Sequence, residues 1–453
     1  MLFARIIRRV INCFLLFLLS NCVLLFVLCD FHLALKICAI AVLFAFYLYF
    51  NINPCGGLFL RNCSDQRQIR VLMGGRECIL TALACFLFAL PLYLSIIFGI
   101  GPTVDSKILI INAVVYASLT GLLIINGFVR IFITSREAGI TTKLLYVFYW
   151  WIPALNIVLL IKLCNSAAKE YAFAVKKAEL NNSRRHKELC KTKYPLLLVH
   201  GVFWRDWKNR NYWGRIPKEL EANGATCFYG NNKSSASVAE SGAELADRIQ
   251  SIVSKTGCEK LNIIAHSKGG LDCRYAISCM GMGKYTASLT MVCTPHYGCR
   301  SIRKIVDRIS SKTMRHVNKG YETLYTILGE KNPDFLGGLA GITDTECAAL
   351  NAQMPDDPQV YYQSVGAMMK SRKGAAFPLN LGYSIIKPVE GDNDGLVAVD
   401  SMAWGNFLGV MSPAGKQGIS HGDMIDLTRK NIEGFDVCEF YVDLVNGLKE
   451  KEV

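Results

Sequence analysis

Leu261-Asn262-Ile263-Ile264-Ala265-His266-Ser267-Lys268-Gly269-Gly270 is the stretch that decides how the chain is read. Leu261–Ala265 has the length and apolarity of a buried strand, and a helix is expected to start near Lys268. Between them stands a serine with small residues two places before and after it, Ala265 and Gly269. A sharp strand-to-helix turn lifts a serine clear of a sheet and strains its backbone, and small residues at those places avoid a clash. A serine hydroxyl is a poor nucleophile until a base takes its proton. The sequence must therefore supply a base and an acid elsewhere.

On either side of this stretch, strands alternate with helices. Leu196–Val199 is a short apolar run ending at His200-Gly201, and Ala225–Tyr229 is a second strand candidate. Ser237 and Glu240 form a capping box that opens an amphipathic helix through Leu245, Ile249, Ile252 and Val253. That helix stops at Gly257, and Ser288–Cys293 is the next strand. The β-α-β-α order predicts a mostly parallel sheet covered by helices, one α/β domain over 194–453.

Of the seven histidines, only His421 lies in the last hundred residues, in the loop-like Ile419-Ser420-His421-Gly422-Asp423. Ahead of it, Gly391-Asp392-Asn393-Asp394-Gly395 follows a strand-like Tyr383–Val389. A carboxylate at such a strand end holds an imidazole in the right tautomer and stabilises its cation. Asp394 is the candidate acid, with Asp392 as the alternative, and His421 is the candidate base. An oxyanion needs two preorganised N–H donors. Lys268, next to the serine at the helix N-terminus, supplies one. The loop after the first strand supplies the other, from Val202 first and Phe203 second.

Tyr194-Pro195, Val199-His200-Gly201, Ala265-His266-Ser267-Lys268-Gly269-Gly270, Thr294-Pro295-His296-Tyr297-Gly298 and Asn393-Asp394-Gly395-Leu396-Val397 together resemble the bacterial true-lipase branch of the α/β-hydrolase superfamily. The resemblance spans about residues 194 to 445. It implies an α/β-hydrolase fold and a carboxylester hydrolase acting on acylglycerols. In its terms Ser267 is the nucleophile, Asp394 the acid, His421 the base, and Val202 and Lys268 the oxyanion amides. No cofactor is required. Some relatives hold a structural calcium near the catalytic histidine, and Asp423 matches one such ligand, although no partner carboxylate stands out around 370–390. Ala265 replaces the commoner glycine, and Tyr297 stands where the family often has arginine. Cys299–Pro355 reads as a cap or lid insertion, with Ile302, Ile305, Val306 and Ile309 on one helical face. Trp204 and Trp207 either line an acyl channel or pack the core.

The first third has a different texture. The chain has 453 residues, 52% apolar and only 19% charged, which excludes disorder and low complexity. Residues 1–164 carry thirteen Lys or Arg against five Asp or Glu, and the stretch 165–193 carries eight against three. Most of the net charge of +14 therefore sits in membrane loops and a basic juxtamembrane linker, where it meets anionic headgroups. Little remains for the α/β domain, which argues against a nucleic-acid partner.

Val10–Cys29, Leu33–Phe50, Cys78–Phe98 and Ile108–Val129 are each long enough to span a bilayer. Leu144–Ile161 is a fifth candidate, interrupted by Trp150, Trp151 and Pro153. Arg5, Arg8 and Arg9 precede the first span, and the other basic loops fall on the same side, so the amino end is expected in the cytoplasm of a multi-pass cell-membrane protein. The side of the hydrolase domain depends on whether the fifth segment crosses. The 18 cysteines divide nine and nine about residue 165 with no CxxC pair in the α/β part, which fits buried free thiols better than disulfides or zinc.

The sequence thus reads as a membrane-anchored serine carboxylester hydrolase, lipase-like, acting on a lipid or apolar ester. An acyltransferase using the same three residues, or a non-enzymatic membrane protein with a vestigial hydrolase domain, are the alternatives. Protein partners and oligomeric state are not encoded legibly.

Overall fold

A computed structural model describes residues 2–57, 66–100, 103–138, 140–202, 211–233, 236–301, 303, 341–413 and 415–453. The chain divides into two compact units, Met1–Asn182 and Ser183–Val453.

The first unit is helical among its described residues: α1 (Leu2–Ser20), α2 (Cys22–Leu28), α3 (Leu33–Ile52), α4 (Arg67–Ile97), α5 (Ser106–Thr134), α6 (Ile140–Tyr149) and α7 (Pro153–Arg184), which runs just past the division. Three of them, α3, α4 and α5, are long and apolar enough to cross a membrane. Among the described residues, a fourth span exists only if the pair α1–α2, bent by 72°, counts as one. Val10–Cys29 is therefore not one straight helix. The break falls at Asn21, whose side chain donates to the Phe17 carbonyl at 2.9 Å and so competes with the helix's own ladder. Asn112 completes the polar cluster: it donates to Asn21 Oδ1 at 3.1 Å and accepts from the Leu24 amide at 3.1 Å.

Leu144–Ile161 is likewise not a single helix. It is split at Trp150–Ile152 between α6 and α7, and α7 begins at Pro153, whose fixed φ and missing N–H suit a first helical position and no interior one. Helices α4 and α5 pack closely because both contacts are glycine: a Cβ on Gly75 would lie 2.7 Å from the Gly127 carbonyl oxygen.

The second unit is built on six parallel strands, β1 (Leu196–Val199), β2 (Cys227–Tyr229), β3 (Leu261–His266), β4 (Thr286–Val292), β5 (Tyr361–Ala367) and β6 (Asn406–Met411), in the order β2-β1-β3-β4-β5-β6. Every residue of β1, β3 and β4 is buried, as expected for strands covered on both faces. Alternation sorts them: Leu196 and Leu198 face one apolar layer, Leu197 and Val199 the other. The first layer packs against α8 (Ile216–Ala222) and α13 (Val437–Glu450), through Ile216, Leu220, Tyr441 and Val445. The second takes Leu245 and Ile249 of α9 (Val238–Thr256) and Ala276 and Ile277 of α10 (Lys268–Cys279).

Helix α9 has the expected capping box at Ser237 and Glu240 and ends at Gly257 with φ 71°. Two further helices among the described residues are α11 (Asp344–Gln353) and α12 (Leu379–Glu390). The latter corrects the strand expected over Tyr383–Val389. Gly382 lies on it against the Gly395 backbone, where a Cβ would come within 2.0 Å of the carbonyl oxygen, and Ile386, four residues on, is buried. A helical repeat thus wins over a strand alternation.

The described cysteines are free thiols. Strand β1 has β2 on one side and β3 on the other, so the chain order reverses between β1 and β3. Ligands in open parallel sheets bind at the carboxyl ends of strands at such a point.

Candidate active site

Val199 pairs with Ala265, so His200-Gly201 and His266-Ser267 emerge side by side at that switch point. Ser267 has φ 55° and ψ −134°, a strained conformation for a residue with a Cβ. Three backbone ties hold it there. Its amide donates to Val292 at 2.9 Å, and its carbonyl accepts from the Gly270 amide at 3.0 Å and from Thr294 Oγ1 at 2.9 Å. Two glycines make room. A Cβ on Gly201 would lie 2.7 Å from the Ser267 Cβ, and one on Gly269 would lie 2.4 Å from the His200 carbonyl oxygen.

Asp394 and His421 meet although 27 residues separate them: His421 Nδ1 is 2.7 Å from Asp394 Oδ2, and the bond is buried. The carboxylate is oriented from behind, since its Oδ1 accepts from the Leu396 amide at 2.9 Å and the Val397 amide at 2.8 Å. The backbones are tied too, by the His421 amide donating to the Asp394 carbonyl at 2.8 Å. Asp392 is a different case. It is exposed and its partner is Lys387. The structure thus brings Asp394, and not Asp392, to the histidine. The His421 ring in turn packs on His266, the residue before Ser267, with centroids 4.4 Å apart.

Lys268 opens α10, which puts its amide at the helix N-terminus. Its side chain is fully buried, with Nζ 2.6 Å from Asp272 Oδ1 and 3.2 Å from Ser241 Oγ. Burial, more than its partner lysine can offset, raises the Asp272 carboxyl to about 6. Val202 is buried. Phe203, Trp204, Trp207 and, of the expected lid, Ile302, Ile305, Val306 and Ile309 lie outside the described residues.

Asp423 has a local task that differs from the calcium role. Its Oδ2 accepts from the Ser420 amide at 2.9 Å and the Ser420 hydroxyl at 2.7 Å, which shapes the turn carrying His421. An acidic residue that acts on it, Asp426, is held through both oxygens by Arg215. These donors do not fit a calcium ligand set.

Sequence reasoning missed Tyr212. Its hydroxyl accepts from the Gly201 amide at 3.1 Å and meets His266 Nδ1 at 2.7 Å, linking the ends of β1 and β3. No local pattern marks it. The part of Thr294 was also missed, although its Thr-Pro-His context was visible. Burial, then the neighbouring His421, pushes the His266 imidazole well below its ordinary range, so it is neutral.

A six-stranded parallel sheet with a serine on a strained turn after β3, and a buried histidine–aspartate pair beside it, defines the α/β-hydrolase class. The chain is similar to Triacylglycerol lipase 2 of Saccharomyces cerevisiae, 26% identical over 260 residues that cover 53% of this chain and 74% of that one. It is also similar to a triacylglycerol lipase of Vibrio cholerae, 28% identical over 239 residues, 48% of this chain and 76% of the relative. Among solved structures, Staphylococcus hyicus lipase aligns with a TM-score of 0.46 and 18% identity over 58% of this chain and 97% of that one. No family model matches.

Proposed function

We propose that the chain is a membrane-anchored lipid-ester hydrolase working through Ser267, His421 and Asp394. The observation that carries this reading is the buried 2.7 Å bond between Asp394 and His421, next to the serine turn. His421 Nε2 takes the Ser267 proton as Oγ attacks the ester carbonyl, while Asp394 keeps the other ring nitrogen protonated and steadies the imidazolium. The amides of Lys268 and Val202 receive the oxyanion. Collapse of the tetrahedral adduct expels the alcohol, which His421 protonates, leaving an acyl-serine. Water, deprotonated by His421, then releases the fatty acid.

Similarity to triacylglycerol lipases supports an acylglycerol or related lipid as substrate. Helices α3, α4 and α5 support anchoring, and the basic residues Arg8 and Arg9 ahead of the first apolar stretch support a cytoplasmic amino end in a cell membrane.

The test is fatty-acid release from acylglycerols and chromogenic esters by the full chain in detergent. His421→Ala is expected to lower kcat by at least ~10³-fold. Equal rates in the variant and the parent would contradict the assignment. Transfer of the acyl group to added alcohol in place of fatty-acid release would turn it towards an acyltransferase.

A further inference from the structure

His266, Cys293 and His421 converge behind the serine turn, and their ligand-type atoms all lie within 4.8 Å of one another. All three side chains are buried. His266 is built as a metal ligand would be. Tyr212 holds its Nδ1 at 2.7 Å, and its Nε2 is buried beside the His421 backbone. A second group that fixes one ring nitrogen is the usual support of a ligating histidine. Cys293 directly follows β4 and holds φ at 51°, a left-handed conformation that costs a non-glycine residue free energy and concentrates at functional sites. Its thiol lies near the Asp394 carboxylate, and burial with that charge keeps it protonated. The hydrolase chemistry uses neither His266 Nε2 nor the Cys293 sulfur.

We propose that these three residues form a binding site for a zinc-class divalent cation, which switches the hydrolase off by taking its base. Two imidazoles and a thiolate are a donor set that suits Zn²⁺ and leaves a fourth position for water. Metal–ligand bonds of about 2.0–2.3 Å place tetrahedral donors roughly 3.3–3.8 Å apart, so atoms now up to 4.8 Å apart close by about 1–1.5 Å at most. Binding releases the Cys293 thiol proton to solvent and moves no electrons. Two neutral imidazoles, a thiolate and the adjoining Asp394 carboxylate then balance the dication's charge. Either way the base is lost. Coordination through His421 Nδ1 breaks its bond to Asp394, and coordination through Nε2 occupies the atom that receives the serine proton. The switch, though not the cation site itself, rests on the hydrolase reading above.

Co²⁺ added to the full chain in detergent tests the site directly. A near-ultraviolet thiolate-to-cobalt band with tetrahedral visible bands is expected, displaced by Zn²⁺ and absent in Cys293→Ser. The exposed Cys279→Ser serves as a control that keeps them. Zn²⁺ should also suppress fluorophosphonate labelling reversibly, with chelator restoring it, and Cys293→Ser should need at least ~tenfold more Zn²⁺. No cobalt–thiolate band in folded parent protein, or a band that survives Cys293→Ser, overturns the site. A bound cation that leaves labelling unchanged overturns the switch. Absence of labelling in metal-free protein counts against the hydrolase reading, while the cobalt spectrum decides the cation site by itself.

Discussion

In β1, Leu196, Leu197, Leu198 and Val199 have no exposed surface, whereas in α4 Leu87 and Phe88 are 68% and 61% exposed. The sheet unit hides its apolar side chains between two helical layers, and the helical unit turns many of its own outward. Polar groups show a second contrast. In the helical unit, buried polar side chains pair helix to helix, as Glu77 does with Arg9 and Asn112 with Asn21. In the sheet unit, Ser267, Lys268, Asp272, Asp394 and His421 are buried together at the carboxyl end of the sheet. The outward-facing unit suits a hydrocarbon solvent, where interhelical hydrogen bonds hold spans together. The inward-facing unit concentrates its polar groups where chemistry is proposed.

The contrast breaks most sharply at the acid. Asp394→Asn should cost roughly 10³–10⁴ in kcat, while Asp392→Asn, on an exposed residue paired with Lys387, should leave it within about twofold. Ester hydrolysis by the two variants measures both, and equal losses would remove Asp394 from its role.

The Lys268–Asp272 pair gives the next effect, as a stability that depends on pH. The Asp272 carboxyl is raised from 3.8 to about 6, so the folded state keeps a proton that the unfolded chain has released. Its contribution is therefore complete below about pH 4, falls as pH rises to about 6, and is level above. Compared with Asp272→Asn in denaturant unfolding, the parent should lose ground over that window by on the order of 3 kcal/mol. A gap that stays constant with pH would contradict this.

Gly201 sharpens the geometry of the turn. Any Cβ there meets the Ser267 Cβ at 2.7 Å, so Gly201→Ala should lower kcat by about 10–100-fold with KM little changed. Unchanged kcat would show that the turn has slack.

The smallest effect belongs to the helical unit. Glu77 is buried while its partner Arg9 is about one-third exposed, so Glu77→Gln should cost roughly 1–2 kcal/mol. Thermal unfolding in detergent should register that loss with esterase kcat unaffected. A fall in kcat would tie the two units together.

The serine turn was legible because it needs only local chemistry: an apolar strand, small flanking residues and a helix start. The same holds for the capping box at Ser237 and for the interruption at Trp150–Pro153. His421 was legible by elimination among few histidines. Asp394 is legible from its Asn-Asp-Gly-Leu-Val motif and its place after the apolar run Tyr383–Val389, although that run folds as helix α12 and not as the expected strand. A short apolar stretch does not separate the two periods by itself. Strands β5 and β6 escaped because their sequences, Tyr361–Ala367 and Asn406–Met411, carry Gln, Ser, Asn and Gly and lack a strong apolar run. Tyr212 could not be read at all. Its contacts with Gly201 and His266 depend on a fold that brings residues 11 and 54 positions apart together.

The central claim is that Ser267 is an activated nucleophile, and covalent labelling of the full chain in detergent by a fluorophosphonate tests it most directly. Mass analysis of the digested adduct should find the phosphonyl group on Ser267, with labelling abolished in Ser267→Ala and strongly slowed in His421→Ala. Folded parent protein that takes no label, or carries it on another serine, would contradict the account.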